Sequence, residues 1–201
     1  TAPDEDARTQ VESAFRSLER AYAYAPEGVL FAVGYSAAYF DRIGGKTAPI
    51  PAPRELTPME SPAFDTFDAV IHLASDHPAA VLDAEEALFG ATGTPNGTGM
   101  EATLSGVFER ADPRRTGFVG AGLPAEHTDV EGVPETIAEE APSLMGFRAG
   151  FRGSQAPEDR ITIREGPFEG GTTMHISSLN LQLDPWYGQD SQEQRVAKLC
   201  S

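Results

Sequence analysis

Ser36 lies in the stretch VLFAVGYSAAYFDRI, between a run of β-branched and aromatic residues and a segment with helical apolar spacing. A strand-turn-helix setting of this kind can lift a serine hydroxyl clear of the backbone as a hydrolase nucleophile, although the second glycine of such an elbow is missing after Gly34-Tyr35-Ser36-Ala37-Ala38. Asp129 and His175 follow in the chain order a serine triad of that fold requires. The plainer reading makes Ser36 the N-cap of a helix whose Tyr39, Phe40 and Ile43 face inward. It is preferred, because a chain this acidic supplies an aspartate and then a histidine by chance.

His127, Asp129 and Glu131 alternate, so in an extended loop their side chains would share one side and present nitrogen and carboxylate ligands to a hard cation. Solvated charge is the commoner use of such a run, and no metal site is assigned. His175 lies in TTMHISSLNLQLD, whose alternation puts Thr173, His175, Ser177, Leu179 and Leu181 on one strand face, either a pocket wall or an exposed polar row turning apolar. His72, inside VIHLA, reads as a structural histidine, and His77 falls in the first turn of a helix. Asn96-Gly97-Thr98 is an N-glycosylation acceptor within a turn. The single cysteine, Cys200, can form neither an intrachain disulfide nor a cysteine-based zinc cluster.

These residues need elements to position them. From Ala7 to Ala25 the residues Val11, Ala14, Phe15, Leu18, Ala21 and Tyr22 recur at three-four spacing, which predicts an amphipathic helix ended by Pro26. GVLFAVGY predicts a buried strand from Gly28 to about Gly34, followed by the short helix AAYFDRI. The five prolines from Pro49 to Pro62 mark an irregular surface connection. FDAVIHLAS predicts a strand, and Asp76 a cap on the helix HPAAVLDAEEALFG, with Pro78 in its first turn and Gly90 just past its end. A strand is expected over Ala102 to Glu109, an acidic loop from Gly120 to Leu144, and strands in DRITIRE and GGTTMHISSLNLQLD. Ser191 and Gln194 have the spacing of a capping box on a final helix.

The charge balance narrows the partners. Against 31 acidic residues stand 15 basic ones, all arginine except Lys46 and Lys198, for a net charge of -16. That charge repels phosphate backbones and anionic membranes, and the arginines are scattered rather than clustered, so nucleic acid is not an expected partner. An acidic surface nearly free of lysine is what halophilic archaea use to stay hydrated in concentrated salt. No apolar run is long enough for a membrane-spanning helix.

Three stretches, in chain order, resemble the dye-decolourising peroxidases: FAVGYSAAYFDRIG, FDAVIHLASDHPAAVLDAEEALF and GGTTMHISSLNLQLDPWYGQDSQEQRV. The stretch between the last two, SLMGFRAGFRGSQAPEDR from Ser143 to Arg160, takes the place of that family's Gly-Phe-x-Asp-Gly-Thr signature, with Gly146, Phe147 and Gly150 matching. The resemblance implies two ferredoxin-like α+β halves and a haem pocket. It also implies losses. Ala149 takes the place of the distal aspartate, and a methyl group can neither accept nor deliver a proton. Ser177-Ser178 replaces a pair of arginines, and no residue takes the place of the family's proximal histidine, the axial iron ligand. Arg148, Arg152 and His175 are the residues through which the resemblance would still bring a haem or another anionic ligand to this chain, although the two arginines can equally be solvated beside Glu158, Asp159 and Glu165.

The expected fold is therefore α+β: ferredoxin-like antiparallel sheets with helices on one face, in two halves packed together as in those peroxidases. Residues 1–115 would form the first half and 116–201 the start of a second, incomplete at its C-terminus. The expected function is a degenerate peroxidase-like domain kept for ligand binding or assembly, as a homo-oligomer or surface array outside the cell, with a glycan at Asn96. The alternatives are an active haem peroxidase that draws its acid from the residues Glu126 to Glu140, and a serine hydrolase.

Overall fold

The structure is a computed structural model and describes residues 4–44, 52–55, 61–111, 123–147, 161–177 and 180–200. The chain is α+β and divides into two compact units: Thr1–Thr116 with Ile163–Thr173, and Gly117–Thr162 with Met174–Ser201.

In the first unit, helix α1 spans Glu5–Ala21. Asp4 caps it, accepting the backbone N–H of Ala7 at 2.8 Å, and Glu5 and Asp6 set negative charge against the positive end of the helix dipole. The helix ends at Ala21, four residues earlier than the periodicity predicts, because the chain turns back on itself before Pro26. In that turn Ala23 O accepts from both Ala25 and Val29. Gly28 is required there, since a Cβ would sit 2.1 Å from Ala23 O.

Strand β1, Leu30–Tyr35, pairs antiparallel with β2, Ala69–Ala74, in the register Leu30 to Ala74 and Tyr35 to Ala69. Phe31 and Leu73 share one face with Val33 and Ile71. On that side Ala14, Leu18, Val29, Ala84, Leu88 and Leu104 form the core, with Phe31, Ile71 and Leu73 packed against it. His72 falls on the opposite, exposed face, paired with Ala32.

Helix α2, Ala37–Ile43, follows β1, and α3, Pro78–Leu88, follows β2. Asp76 does not cap α3. The cap position is His77, whose backbone N–H is taken by Ser75 Oγ at 3.0 Å, and Pro78 begins the helix where its missing N–H costs nothing. At the other end, Gly90 has φ +81°, its N–H donates to Ala87 O, and Ala91 donates to Glu86 O at 2.8 Å. This is the paired Schellman closure that glycine favours.

The segment Ala102 to Glu109 forms turns rather than a strand. Leu104 is fully buried, donates to Leu88 O at 2.6 Å, and accepts from both Val107 and Phe108, while Gly106 has φ +82°. An apolar anchor that uses its backbone on a helix terminus cannot also run in a ladder. Likewise, DRITIRE and GGTTMHISSLNLQLD do not form strands over their described residues. Ile163 and Gly171 close a tight loop, with Gly170 donating back to Ile163 O at 2.9 Å, and Phe168 packs edge-on against Phe40.

The second unit begins, over its described residues, with a short 3-10 turn, Pro124–His127, and continues as successive tight turns that bury Ile137 and Ala141. Helices α4, Leu183–Gly188, and α5, Gln192–Cys200, complete it. The capping box forms as its spacing predicts: Ser191 N–H donates to Gln194 Oε1 at 2.8 Å, and Gln194 N–H donates to Ser191 Oγ at 3.3 Å.

Candidate functional site

Ser36 is the N-cap of α2. Its Oγ accepts from Tyr39 N–H at 3.2 Å and its hydroxyl donates to Phe67 O, so both bonds serve to anchor the helix to the chain entering β2. The alternation of His127, Asp129 and Glu131 assumed an extended loop, but His127 ends a 3-10 turn and Thr128 continues in helical backbone, which removes the shared side. His175 is exposed, with Nε2 and Ser177 Oγ 2.9 Å apart. Arg148, Ala149 and Arg152 lie outside the described residues.

Asn96 has φ +46° and its side-chain nitrogen, the atom a glycan would join, donates to Ala21 O at 2.6 Å. Its backbone N–H donates to Asp83 Oδ2 at 3.1 Å, and the same oxygen accepts the Tyr22 hydroxyl at 2.5 Å. The cluster ties the end of α1 to α3 and the 95–97 turn. Burial, with the adjacent Asp83 carboxylate, pushes the Tyr22 hydroxyl well above the usual phenol range. Tyr22 therefore stays protonated and acts as a fastener.

Two clefts remain. One, of about 550 Å³, lies in the first unit beside Phe89, Phe108 and Arg110. Arg110 stacks over the Phe89 ring at 5.0 Å and pairs with Glu85 at 3.0 Å.

The other, of about 260 Å³, lies in the second unit and is built from the beginning of the glycine-rich stretch and the last two helices. Ser143 to Phe147 forms a turn held by Gly146 N–H to Ser143 O at 2.8 Å and Ser143 Oγ to Phe147 O at 2.9 Å. Two aromatic side chains of α4 hold this turn by its carbonyls: Trp186 Nε1 donates to Met145 O at 3.1 Å and the Tyr187 hydroxyl to Leu144 O at 2.9 Å. Trp186 is buried and meets Phe147 edge-on at 6.3 Å. Gly146 is favoured by its left-handed backbone at φ +80°, and the Tyr187 hydroxyl would lie 3.1 Å from an added Cβ and have to give way slightly. Burial raises the Tyr187 hydroxyl above its ordinary range, partly offset by Arg195.

Arg195 closes the cleft from α5. Its guanidinium lies 4.9 Å from the Tyr187 ring centroid and donates to Gln192 Oε1 at 3.0 Å and, at a long 3.5 Å, to Trp186 O. Sequence reasoning missed Tyr187 and Arg195. The one local signal was the aromatic pair Trp186-Tyr187 directly before a well-capped helix.

A family model spans residues 1–201 from end to end. The chain belongs to DUF7405, a family of unknown function. No curated protein and no solved structure matches it. The family description assigns no activity, so function rests on the two clefts and their chemistry. Among the described residues no helix is long and apolar enough to cross a membrane.

Proposed function

We propose that this member of DUF7405 is a peroxidase-like domain kept for ligand binding or assembly rather than for peroxide turnover, working outside the cell in a salt-rich medium. One observation carries the reading. The Gly146-Phe147 turn and the Trp186-Tyr187 helix, which belong to separate stretches resembling the dye-decolourising peroxidases, meet around a single cleft. The ferredoxin-like pairing of halves belongs to the same proposal. Ala149 in the place of the distal acid argues against turnover, and the acidic, lysine-poor composition suits the medium.

A second reading, an active haem peroxidase with a relocated acid, is favoured by the presence of Glu140 at the same cleft. Haemin titration of the full chain, followed by a peroxide-dependent dye-oxidation assay, separates the two. No dye oxidation is expected. Oxidation that is lost in Glu140→Gln would replace the first reading with the second.

A further inference from the structure

We infer that the cleft of the second unit binds a small planar carboxylate with an apolar body, its anionic end on Arg195; this rests on the reading of that unit as a ligand-binding one. A guanidinium carries five N–H donors in a fixed fork and pairs best with a carboxylate engaged at both oxygens. The partners of Arg195 among the described residues are all neutral: the Gln192 amide, the Trp186 carbonyl and the Tyr187 ring. No described carboxylate lies within ion-pair distance of it, and that includes Glu140, which is exposed at the same cleft. In a chain of net charge -16 this contrasts with Arg110, which lines the other cleft and is neutralised by Glu85.

The guanidinium is also held by its hydrogen bond to the Gln192 amide and by the Tyr187 ring beneath it, so less side-chain freedom is lost when an anion arrives. Met145, Phe147, Pro142 and Ala141 supply apolar wall, suited to an aromatic ring through edge and sulfur contacts. The volume of about 260 Å³ lies below the range of drug-sized sites, which begins at about 300 Å³. The size, the one cation among the described lining residues and the apolar side chains of the wall together suit one ring bearing one carboxylate.

Trp186, the only tryptophan, contacts Phe147 and the Met145 carbonyl of this wall, which makes its fluorescence a built-in reporter. The full chain is titrated with benzoate, with benzamide as the neutral isostere, and with haemin. Saturable benzoate binding, at least about tenfold tighter than benzamide and weakened by about tenfold or more in Arg195→Gln, is the expected result. Arg195→Lys keeps the charge without the fork and should fall between the two, and a thermal melt of each variant confirms that it is folded. Equal binding of benzoate and benzamide, or undiminished binding by a folded Arg195→Gln, overturns the carboxylate site. Haemin binding without benzoate binding also overturns it while leaving the ligand-binding reading intact, and no response to any of the three overturns both.

Discussion

Among the described residues two arginines lie over aromatic rings beside a cleft, and their surroundings differ. Arg110 over Phe89 has Glu85 at 3.0 Å, whereas Arg195 over Tyr187 has an amide, a carbonyl and a ring. A carboxylate within the fold already satisfies the first cation. No described carboxylate does so for the second. The units around them differ as well: Arg110 borders a core with Leu18, Leu88 and Leu104 almost wholly buried, while the cleft of Arg195 is shaped by a turn pinned through its backbone carbonyls. The described core of the first unit is an apolar cluster, and the turn at the second cleft is pinned by hydrogen bonds, so the two sites should respond to different substitutions.

The largest effect is expected from Leu18→Ala, which leaves a cavity in the first unit's core and should cost about 2–5 kcal/mol in urea unfolding. A cost below about 1 kcal/mol would show that this core is not what holds the unit. Next comes Gly146→Ala, for which left-handed backbone and the approach of the Tyr187 hydroxyl together predict a loss of about 1–3 kcal/mol. It should also shift Trp186 emission, because the Met145 carbonyl moves off Nε1; unchanged emission and stability would break the claim that the turn is pinned.

Tyr22→Phe should cost about 1 kcal/mol at neutral pH through loss of the bond to Asp83. Because the folded pKa of Tyr22 is raised, its stabilising contribution is complete below the unfolded value of about 10 and is lost as pH climbs from there towards the folded one. Wild-type stability should therefore decline in alkali, and the variant should show a shallower decline in urea melts at a series of pH values. Arg110→Gln should have the smallest effect, at most about 1 kcal/mol, since the pair it breaks is half-exposed. It should leave benzoate binding untouched, and a loss of binding there would erase the distinction between the two clefts.

The parts of the fold that were legible in the sequence are those governed by neighbours a few positions away. The apolar spacing of α1, the helix cap at Ser36, the closure at Gly90 and the Ser191–Gln194 box each depend on contacts within about five residues, and each is found. The pairing of β1 with β2 was legible only as two strand-like runs. Asp76 was misread because the helix begins at Pro78, which puts His77 rather than Asp76 at the cap position. Ala102 to Glu109 was misread because its β-like composition is overridden by the burial of Leu104 and its bond to the end of α3.

The candidate site was legible only in its pieces. The glycine-rich stretch, the tryptophan and the capped final helix could each be picked out, yet nothing local brings Met145 to Trp186, 41 positions away, or Leu144 to Tyr187, 43 away. By itself the sequence determined the α+β class, the helices α1, α2, α3 and α5 with the caps at Ser36, Gly90 and Ser191, and an acidic, arginine-based composition, because these follow from local backbone preference and from residue content. Tertiary structure alone decided that Ser36 also bonds Phe67 O, that the Asn96 amide donates to Ala21 O at the end of α1, and that Arg195 meets only neutral partners among the described residues, because whether a polar group is satisfied depends on which distant atoms folding brings within about 3 Å of it.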